Sequence, residues 1–183
     1  MVKRNHWDAL VEKLWTKKNI IWLAGVRRAG KTSLCRAIEG VQYFDCELPS
    51  VRNAMEDPEG FLKNFKGARL ALDEIHRLKN PSELLKIAAD YFPETKVIAT
   101  GSSLLAAAKK FKDTLTDRKR DLWLTPVNSA DMSDFNLPSV DARLFNGGLP
   151  PYFMAEKPSE RDYYDWLENY WARDVQDLFS VGK

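Results

Sequence analysis

The chain has 183 residues, 44% hydrophobic, 11% aromatic and 30% charged, which suits one packed domain of ordinary size with a short extension. Its net charge of +2 is too small to point to nucleic acid or a membrane surface, and no apolar run approaches the ~20 residues that cross a bilayer. Cys35 and Cys46 have neither metal-ligand spacing nor a secretory leader ahead of them, so they read as reduced core thiols of a cytoplasmic protein.

The run from Asn19 to Ala24 is short, apolar and closed by a glycine, which predicts a buried parallel strand. Lys31 to Glu39 reads as a helix stopped by Gly40, and Val41 to Cys46 as a second strand. A helix is expected from Pro58 to Phe65, then a third strand from Arg69 that turns acidic at Asp73 and Glu74. Leu84, Leu85, Ile87, Ala88 and Tyr91 give helical spacing from Pro81 to Phe92. A fourth strand is expected from Lys96 to Thr100, a short helix from Leu104 to Phe111 and a fifth strand from Asp121 to Thr125. Strands alternating with helices predict an α/β fold with a mainly parallel sheet covered on both faces. From Ser129 the strand rhythm stops, which divides the chain into a core over residues 1–128 and a helical extension over 129–183. The extension ends in a long helix opened by Pro158 and Ser159.

Gly25-Val26-Arg27-Arg28-Ala29-Gly30-Lys31-Thr32 satisfies G-x-x-x-x-G-K-[ST], after a predicted strand and at the start of a predicted helix. That chemistry surrounds the phosphates of a nucleotide with backbone N–H groups. The two glycines give the backbone freedom, and the positive end of the following helix assists. The residues from Gly25 through Ser33 are therefore the candidate ATP-binding set. Lys31 supplies charge to the outer phosphates, and Thr32 offers its hydroxyl to Mg²⁺. Asp73 is a candidate for holding Mg²⁺ through its water shell, and Glu74 for polarising an attacking water. Thr100 or Ser102, at the end of the fourth strand, could meet that water or the terminal phosphate; a helix cap at Ser102 or Ser103 explains the same residues. His76 reads more simply as a surface or neighbouring histidine than as a relay, and Arg27 and Arg28 as solvated loop charges as readily as nucleotide contacts. The chain lacks an Asn/Thr-Lys-x-Asp guanine-reading motif, which favours ATP over GTP.

With these residues in place, the chain resembles the AAA+-like P-loop ATPases of bacteria and archaea known as predicted ATP-binding proteins. In these an AAA-type domain precedes a winged helix and a carboxy-terminal domain of uncertain function. The resemblance rests on the phosphate loop, Leu72-Asp-Glu-Ile-His-Arg-Leu78, Ala99-Thr-Gly-Ser-Ser-Leu-Leu105, Phe145-Asn-Gly-Gly-Leu-Pro150 and Tyr170-Trp-Ala-Arg-Asp-Val175. It implies a strand order of 5-1-4-3-2, sensor residues on the fourth strand, and Arg118 as an arginine finger reaching a neighbouring subunit. Relatives commonly carry glycine where this chain has Asp117, which bears on the geometry of that turn. They also continue beyond the Arg173-Asp174 pair, so the chain is expected to be the ATPase domain alone or a shortened member.

Two partner readings follow. Tyr163, Tyr164, Trp166, Tyr170, Trp171 and Phe179 crowd the last helix with aromatics, suited either to a wide core stripe or to a further domain or second copy. Between Lys109 and Arg120 six basic residues face two acidic ones, a cluster that would contact nucleic-acid phosphates or simply be solvated. The leading expectation is hydrolysis of Mg·ATP coupled to motion of the segment after Pro150. The alternative is a nucleotide-dependent switch or DNA-associated module with negligible turnover.

Overall fold

The computed structural model describes residues 2–101, 109–135, 140–156 and 159–172. Five parallel strands form its sheet: β1 (Ile20–Ala24), β2 (Val41–Asp45), β3 (Arg69–Asp73), β4 (Lys96–Thr100) and β5 (Lys119–Trp123). They lie in the order β2-β3-β4-β1-β5, the 5-1-4-3-2 order read from its other edge. This is the α/β fold of P-loop nucleotide-binding proteins. β1 lies between β4 and β5, and its Ile20–Leu23 side chains are buried on both faces, which is why the run is continuously apolar rather than alternating.

Side-chain alternation sorts the strands onto two cores. Ile20, Trp22, Leu70, Leu72, Val97 and Ala99 face one core, shared with α4 (Pro58–Asn64), α5 (Pro81–Tyr91) and α6 (Lys109–Leu115). Ile21, Leu23, Ala71 and Ile98 face the other, where α1 (Asn5–Trp15) and α2 (Lys31–Ala37) pack. Asp73 and Thr100 each lie two residues beyond Ala71 and Ile98, so both emerge on the α2 face at the carboxyl ends of their strands.

α1 is absent from the expectations above, although Trp7, Val11 and Trp15 are buried at four-residue spacing. Its polar remainder dilutes the apolar signal. α3 (Pro49–Ala54) is a second element that the sequence reading does not contain. β5 begins at Lys119 rather than Asp121, because its pairing with β1 runs from Ile20↔Lys119 to Ala24↔Trp123. Only Leu122 of β5 is buried, so this edge strand has little apolar pattern to read. The helix expected from Leu104 to Phe111 is described only as α6, which begins at Lys109; residues 102–108, Ser102 and Ser103 among them, lie outside the described residues.

Beyond β5, a 3₁₀ turn (Met132–Phe135) precedes α7 (Val140–Asn146), α8 (Pro150–Phe153) and α9 (Glu160–Tyr170). Val127, Phe135 and Phe153 form a small separate core. Ser159 caps α9, its hydroxyl accepting from the Asp162 N–H at 3.4 Å. Pro158, Arg173, Asp174 and Phe179 lie outside the described residues. No helix among the described residues is long and apolar enough to cross a membrane.

Candidate phosphate-binding site

β1 ends at Ala24 and the chain turns at once through Gly25, whose φ is +148°. A Cβ there would run into the Leu124 carbonyl oxygen, so this glycine is required by the neighbouring backbone as well as by its own torsion. Gly30, at φ +99°, opens α2 in the left-handed region. Between them Arg28 adopts φ +65°, an uncommon conformation for a residue with a side chain. The Val26 carbonyl accepts a 3.2 Å hydrogen bond from the Ala29 N–H, which tightens the turn. The Lys31 ammonium folds over its own loop, donating to the Gly25 carbonyl at 2.8 Å and the Val26 carbonyl at 3.3 Å.

Asp73 gathers the site. It is 4% exposed, and its carboxylate accepts from three hydroxyls on three different elements. Thr32 of α2 and Tyr43 of β2 both donate to Oδ2 at 2.7 Å, and Thr100 of β4 donates to Oδ1. Thr100 is fully buried, and its oxygen also accepts from the Glu74 N–H at 3.0 Å. In this arrangement the Thr100 hydroxyl joins the Asp73 carboxylate to the Glu74 backbone.

Glu74 sits at φ +54°, the left-handed region again, where strain is tolerated when surrounding contacts impose it. Burial raises its pKa, opposed by His76 and reinforced by the Asp73 charge. His76 Nδ1 lies 3.1 Å from Glu74 Oε2, so this histidine is a direct neighbour of the glutamate.

The loop is also held from both distant ends of the chain. Arg4 is buried; its guanidinium donates to Asp131 through Nε at 2.7 Å and again through Nη2, and to the Ala29 carbonyl at 3.1 Å. Trp7 Nε1 donates to the same Asp131 oxygen at 2.8 Å. From the other side, Arg28 donates to the Tyr152 hydroxyl, which donates onward to the Asp162 carbonyl at 2.8 Å. Trp166 Nε1 donates to the Arg27 carbonyl at 3.2 Å, and Pro150 lies beside Gly30. Gly147 takes φ +70°, where a Cβ would meet the Tyr163 hydroxyl at 2.7 Å. The Gly147-Gly148-Leu149-Pro150 segment thus seats α8 against the phosphate loop.

Arg118 is not part of this cluster. It immediately precedes β5, and β5 runs parallel to β1, so it lies at the opposite end of the sheet, about 16 Å of strand away. Its Nε donates to Asp90 at 2.8 Å, which holds Asp90 below the ordinary aspartate range, and its Nη1 donates to the Thr114 carbonyl at 3.1 Å. Asp117 adopts φ +59°, the left-handed region that glycine favours. Lys119 is paired with Asp121. The side chains of Lys109, Lys110 and Lys112 lie outside the described residues.

Arg4, Tyr43 and Tyr152 are site residues that the sequence reading does not single out. Arg4 and Tyr152 meet partners more than a hundred residues away, with no local pattern to announce it. Tyr43 becomes visible only once β2 is known to pair with β3 in the register Tyr43↔Ala71.

Comparison with known proteins agrees with this geometry. A protein family described as AAA domain matches residues 17–133, well over half of the chain. Two uncharacterised proteins, one from Mycobacterium bovis and one from Mycobacterium tuberculosis, are each 24% identical to it over 187 residues. The match covers 100% of this chain but only 41% of each relative. Among solved structures, the Walker-type ATPase of Pyrococcus abyssi superposes with a TM-score of 0.58 at 18% identity, covering 99% of this chain and 72% of that one. A point variant of RuvB from Thermotoga maritima gives a TM-score of 0.54 at 15% identity, covering 84% of this chain and 60% of that one. At these identities the likeness is one of fold.

Proposed function

The chain belongs to the AAA-domain family, and from that premise we propose that it binds Mg·ATP at Gly25–Ser33 and hydrolyses it with Glu74 as general base. The observation that carries this reading is the Thr32 hydroxyl 2.7 Å from the buried Asp73 carboxylate, beside a glycine-built loop and a glutamate made more basic by burial. Hard oxygen donors of this kind fit Mg²⁺, which typically takes one or two protein ligands and completes its shell with phosphates and water. Bound Mg²⁺ would neutralise charge on the outer phosphates. Lys31 would bind those phosphates, Thr32 and Asp73 would hold the ion, and Thr100 would keep Asp73 and Glu74 in register. Glu74 would take the proton of the attacking water at its carboxylate.

The first test is binding. Lys31→Ala is expected to weaken ATP affinity at least roughly a hundredfold by calorimetry, because a point charge and its loop contacts are lost together. Affinity within a few-fold of the parent would remove the phosphate loop from the reading.

The position of Arg118, at the opposite end of the sheet from its own loop, supports a role in trans, completing the site of a second copy. Mixing Arg118→Ala with Glu74→Gln is then expected to restore turnover that neither variant has alone, since one interface in the mixture carries both intact residues. A mixture as inactive as its parts would make Arg118 a structural partner of Asp90. The alternative of a switch with negligible turnover keeps the same binding site and differs only in the rate. A DNA-associated module remains the other alternative; of its basic cluster, Arg118 and Lys119 are paired with Asp90 and Asp121, exposed pairs of the kind that exchange readily with other anions. We further propose that residues 129–183 act as a helical extension that reads the state of the loop through α8 and α9, and that the protein works in the cytoplasm.

A further inference from the structure

Tyr43 belongs to no phosphate-binding motif, yet its hydroxyl donates to Asp73 Oδ2 at 2.7 Å, the oxygen that also accepts from Thr32 at 2.7 Å. The strand register explains the contact. Tyr43 pairs with Ala71, and side chains of like parity on β2 and β3 project from the α2 face, so the tyrosine reaches one step along to Asp73. Its ring is fixed from above by Arg36 of α2, whose guanidinium carbon lies 4.2 Å from the ring centroid.

The three hydroxyls on Asp73 are not equivalent. Thr32 stands at the loop, where its oxygen can give lone pairs to a cation while its O–H donates to Asp73. Thr100 is fully buried and shared with the Glu74 N–H. Tyr43 approaches from the neighbouring strand and gives its one proton to Asp73. A buried carboxylate that must hold a hydrated ion needs its plane fixed by donors outside the coordination shell, and such donors tune metal affinity.

We propose that Tyr43 is a positioning residue for Asp73, clamped by Arg36, and that it sets the Mg²⁺ dependence of nucleotide binding at this site. The proposal rests on the Mg·ATP reading above. Its test is the affinity for ATP measured calorimetrically across a Mg²⁺ titration and in EDTA, for the parent chain, Tyr43→Phe and Asp73→Asn. The phenylalanine keeps the ring under Arg36 and removes one oxygen. Tyr43→Phe is expected to bind ATP like the parent in EDTA while its half-saturating Mg²⁺ rises roughly tenfold. Asp73→Asn is expected to lose the Mg²⁺-dependent gain altogether. An unchanged Mg²⁺ midpoint in Tyr43→Phe, or an equal loss of affinity with and without Mg²⁺, would overturn the positioning role. A parent chain whose affinity ignores Mg²⁺ would instead remove Thr32 and Asp73 from the ion, a separate failure. Arg36→Met, which leaves the hydroxyl in place, is expected to shift the midpoint in the same direction by less.

Discussion

Glu74→Gln is expected to lower steady-state phosphate release by about 10²- to 10⁴-fold while leaving ATP affinity nearly unchanged. Glutamine keeps the length of the side chain and can occupy the same left-handed backbone at φ +54°. The Thr100 hydrogen bond to the residue 74 N–H is also independent of the side chain. What is lost is proton affinity, which burial has raised in the native glutamate. Release of phosphate from Mg·ATP by both proteins, with binding confirmed by calorimetry, gives the comparison. Turnover in the parent that disappears in the variant makes Glu74 the base. Binding by both with turnover by neither favours the switch.

The second large effect is on stability. Arg4→Met is expected to cost about 3–5 kcal/mol, which for a chain of this size lowers the thermal midpoint by roughly 10 °C. The side chains of Arg4 and Asp131 are 5% and 0% exposed, so neither charge finds water when the other is removed. Among the described residues, Asp131 would keep the Trp7 Nε1 and Asn128 N–H donors. The double variant Arg4→Met with Asp131→Leu should cost less than the sum of the single changes, because no buried charge is then left unpaired. Differential scanning calorimetry of the four proteins closes the cycle; strict additivity would show that the two groups contribute separately.

The parts of the fold that can be read from residues alone are those in which local pattern and tertiary environment coincide. IIWLA is apolar throughout because β1 is buried on both faces, and the phosphate loop is legible because glycine is demanded at two of its torsions. β5 starts two residues before its expected position because an edge strand with one buried side chain carries almost no periodicity. α1 escapes the sequence reading because its three buried residues are spread among charged ones. The site divides in the same way. Asp73 and Glu74 lie within one strand end, whereas Tyr43 depends on strand register and Arg4 on a contact 127 residues away. Asp117 shows the converse: a residue with a side chain takes the left-handed backbone at φ +59° with no glycine to announce the turn.

The loop between Gly25 and Lys31 is moored at three successive carbonyls or side chains to stretches from both ends of the chain. Arg4 holds Ala29, Tyr152 takes Arg28, and Trp166 grips Arg27. Trp166 of α9 is therefore a single hydrogen bond from the loop proposed to hold the nucleotide. If the proposed readout through α9 holds, it works in both directions, and a nucleotide that stiffens the loop would also restrain the helix. In mechanical terms the loop is a junction where three lines from distant parts of the chain meet.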